Sequence, residues 1–185
     1  MKLKNILAFG LSFCLCCGIL SAEAAEKDNN VLVAYYSRSG NTAKVAEYIA
    51  DVLPADLFEI KEKDNYPSDY GDLTKQVKKE IADGYKPALE NDLPSVDKYD
   101  VIFIGSPCWW GTYTPPVASF LAKHNFDGKK IVFFMTHGGS GLGHSLSDLK
   151  NQLPEADVIG QKAFYGSRVR SSEKEIKTWV EELKL

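Results

Sequence analysis

The sequence predicts an α/β fold, a doubly wound sheet of five parallel strands with helices on both faces. Three observations predict it. Short runs of nearly continuous apolar residues recur along the chain, and stretches with a helical apolar period lie between them. Directly after several of the runs come loops rich in glycine and hydroxyl residues. Strands covered on both faces read as unbroken apolar runs, whereas half-exposed antiparallel strands alternate.

Residues 31–36, 101–105 and 131–135 are such runs, and they are assigned as central strands. Residues 56–60 are mixed, which suits an edge, and a fifth strand is placed within residues 157–164. In the first helix, residues 42–53, Val45, Ala46, Ile49, Ala50 and Leu53 share a face. Leu73, Val77 and Ile81 recur every fourth residue in the second, which Gly84 and Pro87 stop. Pro115 and Pro116 open a third helix where a missing amide hydrogen costs little, with Val117, Phe120 and Leu121 turned inward. Leu142, Leu146 and Leu149 mark a fourth. Ser172 and Glu175 have capping-box spacing at the start of the last, which buries Ile176, Trp179 and Val180. Right-handed crossovers then place the ligand site at the carboxyl ends of the strands.

With 185 residues, 44% hydrophobic and 25% charged, the chain can bury a full core without disulfides or metal. A net charge of -3 does not supply the clustered cations that a duplex nucleic acid requires. Residues 1–24 are set apart: Lys2 and Lys4 precede an uncharged run from Ile6 to Leu20, then small residues. This pattern is that of a cleaved signal peptide, with the cut between Ala24 and Ala25 and a periplasmic or secreted destination. The run is short for a membrane anchor. Lipid attachment at Cys14, Cys16 or Cys17 is less favoured because Phe13, Leu15 and Cys16 stand where small residues are needed. Residues 25–30 form a short polar linker and residues 31–185 the folded domain. Only Cys108 lies outside the leader, so that domain has no internal disulfide.

Three loops carry the chemistry. The first, Ser37, Arg38, Ser39, Gly40, Asn41 and Thr42, runs straight into a helix. Helix-start amides and side-chain hydroxyls there suit a phosphate held without metal; the alternative is that Ser39 or Asn41 caps the helix. Neither a triphosphate loop nor a dinucleotide fingerprint is present. The second loop contains Pro107, Cys108, Trp109, Trp110, Gly111 and Tyr113, rings that can stack on a flat conjugated ligand. The alternative has one tryptophan packed under the loop and the other against a neighbouring helix. The third places His137 beside Gly138, Gly139, Gly141 and Gly143, a backbone able to wrap closely round a ligand edge. Phosphate clasp, aromatic platform and glycine wrap together match flavin mononucleotide (FMN). His124, His137 and His144 lack metal-ligand spacing, so no metal site is expected.

The Ser-Arg-Ser-Gly-Asn-Thr segment is similar to the phosphate loop of the flavodoxin family, and Pro-Cys-Trp-Trp-Gly followed by Pro115, Pro116 and Val117 resembles the flavin-contacting loop of a bacterial subgroup. The resemblance spans Val31 to Leu185 and implies strand order 2-1-3-4-5. It further implies that Ser37, Arg38, Ser39, Asn41 and Thr42 bind the FMN phosphate, and that Trp109, Trp110 and Tyr113 flank the isoalloxazine. The peptide at Gly111 would reorient with the redox state. The expected function is noncovalent FMN binding with electron transfer to a redox partner protein or a small aromatic or quinone acceptor. The alternatives are a nicotinamide-dependent quinone-type oxidoreductase, whose substrate pocket would lie near Tyr85 or Tyr165, and a non-catalytic flavin carrier. The leader and the mild charge depart from the acidic, cytosolic pattern of the family.

Overall fold

A computed structural model describes residues 30–185; the leader, residues 1–24, and residues 25–29 lie outside the described residues. Along the chain run β1 (Val31–Tyr35), α1 (Asn41–Ala50), β2 (Ala55–Glu59), α2 (Tyr70–Ala82), β3 (Val101–Pro107), α3 (Pro115–Lys123), β4 (Lys130–His137), α4 (Ser145–Gln152), β5 (Asp157–Tyr165), a 3-10 turn (Gly166–Ser171) and α5 (Glu173–Glu182). The five strands form one sheet in the order β2-β1-β3-β4-β5, every pairing parallel.

Because side chains alternate along a strand, each apolar run feeds two cores. Leu32, Ala34, Ile102, Ile104, Phe133 and Met135 meet α3 and α4 through Val117, Phe120, Leu121 and Leu149 on one face. On the other, Val31, Val33, Phe103, Val132 and Phe134 meet α1 and α5 through Val45, Ile49, Ile176 and Trp179. Each of the fully buried large side chains contributes about 1.5–3 kcal/mol by leaving water. Trp179 meets Phe103 and Phe164 edge-on, with centroids 6.3 and 5.6 Å apart.

Several boundaries move. β3 and β4 run two residues past their apolar stretches, so Ser106 and Pro107 pair with Met135 and Thr136 in the ladder. The polar ends of these strands are thereby tied into the sheet. α1 stops at Ala50, and Leu142 precedes α4. The capping box at Ser172 does not form: the 3-10 turn runs directly into α5, Ser172 has φ -99° and ψ 14°, and its hydroxyl caps nothing. Gly84, at φ 62°, ends α2 in the left-handed conformation the sequence requires.

α2 is the exception among the helices. Leu73 and Val77 are buried yet belong to neither core; they face the loop that follows β3. One strand glycine is set by close approach. A β-carbon at Gly105 on β3 would fall inside the Phe134 ring of β4. Gly105→Ala should therefore destabilise the domain by about 1–3 kcal/mol in urea unfolding, and adding Phe134→Leu should restore part of the loss; an Ala variant as stable as wild type would show that this contact is loose.

Candidate functional site

Helix α1 begins without a side-chain cap. Its N-cap residue is Gly40, left-handed at φ 80° and ψ -6°, and no side chain accepts a hydrogen bond from the first-turn amides. The capping alternative is thereby excluded: the Asn41 side chain instead donates from Nδ2 to Ser39 Oγ at 3.3 Å. First-turn amides carry the positive end of the helix dipole, and no acidic residue lies in this turn to neutralise it. Beside it the Ser37 hydroxyl is buried with no hydrogen-bond partner. An unsatisfied buried hydroxyl costs about 1–3 kcal/mol, and one at the mouth of an uncapped helix is arranged for an anion.

The other loop residues take different positions. Thr42 is buried, and its Oγ1 lies 2.8 Å from Thr136 Oγ1, tying α1 to the end of β4. Arg38 reaches outward: its guanidinium donates to the carbonyl of Pro67 at 3.0 Å and fastens the segment before α2.

After β3 the chain makes a tight turn. Trp109 and Thr112 exchange both backbone hydrogen bonds, at 2.9 and 3.1 Å, around Trp110 at φ 52° and Gly111 at φ 82°. Two positive φ values inside such a pair define a type I′ turn. For tryptophan the left-handed conformation costs roughly 1–2 kcal/mol. The Trp110 ring is half exposed, its indole N–H donates to Thr74 O at 3.0 Å, and the Lys78 ammonium lies 5.0 Å from its centroid. Trp109 is partly buried, edge-on to Tyr36 and Tyr66 at 5.6 and 5.1 Å. Burial and the neighbouring carboxylates hold both phenols protonated: Tyr36 donates to Glu62 and Tyr66 to Glu80. So each tryptophan has the structural contacts of the bland alternative, and both also line one cleft.

That cleft has a volume of about 500 Å³. Its floor is Leu73 and Val77 of α2, and its walls include Tyr70, Cys108, Trp109, Trp110 and Ser140. Ser140 Oγ donates to Cys108 Sγ at 3.1 Å, and the Cys108 amide donates to Thr136 O at 2.7 Å. Pro107 ends β3 in the ladder beside Thr136. Tyr113 does not reach the cleft. It is 7% exposed, its hydroxyl donates to Gln152 at 2.7 Å and its ring packs on Phe133, because the residue after a tight turn must rejoin the core.

The third loop is ordered by its histidines. The Gly139 amide donates to His137 Nδ1 at 2.9 Å, which puts the ring proton on Nε2. Burial lowers the His137 pKa, favouring this neutral form, and the ring lies 4.5 Å from that of Tyr165. Gly138 and Gly141 are open to space, with Gly141 at φ 61°. The Gly111 carbonyl accepts the His144 amide at 2.7 Å, and a β-carbon on Gly143 would overlap that carbonyl. The turn is thus bonded at Trp109–Thr112 and again at the Gly111 carbonyl.

The structure thus gathers Ser37, Gly40, Trp109, Trp110, Gly111 and His137 at one sheet edge and diverts Tyr113 into the core and Arg38 to a neighbouring loop. The spacing predicts α2 but not its place in the site, where Leu73 and Val77 floor the cleft, nor Gly166, where a β-carbon would stand 3.0 Å from Asn41 Nδ2 and 3.7 Å from the His137 carbonyl. The narrow apolar stripe of α2, Leu73, Val77 and Ile81, was the available signal for the first. The second carried none.

The sequence profile of the family described as flavodoxin matches residues 30–183, and the chain belongs to that family. Among solved structures it is similar to a candidate flavoprotein from Bacteroides eggerthii, at 30% identity and TM-score 0.74 over 85% of this chain and 99% of the other. A second, from Bacteroides uniformis, has 28% identity and TM-score 0.75 over 84% and 99%. The flavoprotein of Lactobacillus acidophilus in complex with FMN has 27% identity and TM-score 0.66 over 77% and 97%. No curated protein sequence matches significantly.

His137 generates a pH prediction. An unfolded histidine takes up its proton near pH 6.5, and the folded ring does so only at lower pH. The unfolded state then binds more protons, so the contribution of His137 to stability is complete above about pH 6.5 and is lost as pH falls through the window below it. His124, also lowered by burial, adds a slope of the same sign. Urea unfolding of wild type and His137→Gln between pH 7.5 and 5.5 should show the shallower pH dependence in the variant; parallel curves would contradict the assignment.

Proposed function

We propose that this chain is an exported flavoprotein that binds FMN noncovalently and passes electrons to a redox partner protein or a small acceptor. The observation that carries it is the orphaned, buried Ser37 hydroxyl beside the uncapped start of α1. A buried hydroxyl without a partner beside uncapped helix-start amides fits a phosphate, and the half-exposed indole beside an apolar-floored cleft fits a planar ring. The FMN complex of the L. acidophilus flavoprotein supports the choice of ligand.

When bound, FMN supplies the redox chemistry. The residues of this chain hold and shield it. Ser37 and the amides of residues 40–42 would take the phosphate; Thr42 would act one step behind, since its hydroxyl is engaged by Thr136. Trp109 and Trp110 would offer ring faces and edges, and the His137 Nε2–H, fixed by the bond at Nδ1, a donor. Three backbone hydrogen bonds hold the Trp110–Gly111 turn that forms this wall. Export is proposed on the leader, residues 1–24, and among the described residues no helix is long and apolar enough to cross a membrane.

Ser37→Ala separates this reading from a structural role. The hydroxyl has no partner to lose and its burial carries a cost, so urea stability of the flavin-free chain should not fall and should rise by up to about 1–3 kcal/mol. FMN affinity should fall about ten- to a hundredfold, the value of a hydrogen bond to a charged group, and riboflavin affinity should not change. Equal losses for FMN and riboflavin in fluorescence-quenching titrations would contradict the assignment, as would a chain that retains no flavin.

A further inference from the structure

The end of β4 departs from the run that precedes it. Residues 131–135 are apolar and fully buried, yet the next residue in the strand, only 4% exposed, is Thr136. Because side chains alternate along a strand, Thr136 faces the side of Val132 and Phe134, where α1 packs. A hydroxyl in such a place costs free energy unless it is bonded. Its one bond is to Thr42 of α1, itself 1% exposed, with the two Oγ1 atoms 2.8 Å apart.

Two hydroxyls carry two hydrogens, and a bond between them uses one. Neither oxygen has a further partner among the described residues, so one hydrogen of this buried pair is left without an acceptor. Ser37 shows the same deficit, its hydroxyl buried with no partner at all. The strands concerned, β1 just before Ser37 and β4 with Thr136, lie on either side of β3. A purely structural pair has no need of this arrangement. Two valines would fill the same space with nothing unsatisfied, and replacing both partners of a buried hydrogen bond by apolar groups of the same shape is close to neutral or stabilising. The two hydroxyls are favoured only when an acceptor arrives.

We propose that Thr136 belongs to the anion site at the start of α1, and that the Thr42–Thr136 pair acts there as one unit, giving a single hydrogen bond to the phosphate. The inference rests on the flavoprotein reading above. Whichever oxygen keeps the free hydrogen, the other hydroxyl stands behind it, and each bond of such a chain polarises the next. Threonine is stiff at χ1, so the strand sets the direction of the Thr136 hydroxyl. The same contact joins α1 to β4, which places the helix start against the sheet where the anion arrives. Thr136 is thereby a positioning residue of the phosphate clasp, contributed by a strand far along the chain from the loop that forms the rest of it.

The test uses the full chain, first free of flavin and then titrated with FMN, riboflavin or inorganic phosphate. In wild type, the methyl signals of Thr42 and Thr136 in ¹³C spectra should both shift with FMN and with inorganic phosphate and stay in place with riboflavin. Thr136→Val should weaken FMN binding about three- to tenfold, as expected for one hydrogen bond, and change riboflavin binding less than about twofold. Thr136→Ser keeps the hydroxyl and should restore FMN binding to the wild-type level. The double variant Thr42→Val with Thr136→Val should lose no more FMN affinity than the weaker-binding single variant, since the pair makes one outward bond. Its flavin-free urea midpoint should stay at or above that of wild type. An unchanged FMN affinity in Thr136→Val, losses that multiply in the double variant, equal losses for FMN and riboflavin, or a Thr136 methyl that FMN leaves unmoved would overturn the proposal. The last of these is read on wild type and serves if the valine variants do not fold. A wild-type chain that binds neither FMN nor phosphate would overturn the flavoprotein reading instead.

Discussion

Helix α1 starts on a glycine in the left-handed conformation, and a residue without a side chain can cap nothing. That leaves the first-turn amides, with the dipole behind them, without a side-chain cap, and the nearby Ser37 hydroxyl without a partner. Folded chains rarely leave buried polar groups unsatisfied. Neighbouring segments tie this edge down: Thr42 is bonded to Thr136 of β4, Arg38 fastens the segment before α2, and at Gly166 a side chain would crowd Asn41.

Rigidity at the second loop has a similar origin. The type I′ turn at Trp110 and Gly111 is closed by two backbone hydrogen bonds, and a third, from the His144 amide, holds the Gly111 carbonyl. Left-handed tryptophan is unfavourable on its own and persists only where its surroundings determine it. Here the indole N–H bond to α2 does so, and a surface helix that contributes to neither core becomes the floor of the site. The two histidines of the following loop are set in opposite tautomers by different partners, Gly139 for one and Asp148 for the other. One fixes a backbone and the other stays open to solvent.

The architecture was legible because its signals are local and strong. Apolar runs such as residues 131–135 and the 3.6-residue periods of α1 and α5 depend only on nearest neighbours along the chain, and the five-strand order follows from the family resemblance. The site was legible as loops, since glycine and hydroxyl residues directly after strands stand out from the runs around them. What did not show was direction. Nothing in the spacing separates Tyr113, which turns into the core, from Trp110, which turns out, because that depends on a turn type set by the φ values of two residues. The Thr112–Asp148 bond joins residues 36 positions apart, and the capping box at Ser172 has the right letters but a 3-10 turn running into it. Such features are tertiary.

We propose that an anion completes the start of α1. A crystal structure of the chain grown with FMN tests it most directly. The account predicts the phosphate within hydrogen-bonding distance of Ser37 Oγ and of the amides of residues 40–42, with the ring beside Trp109 or Trp110. A phosphate left in solvent, or this crevice vacant with Ser37 turned to another protein group, would contradict it.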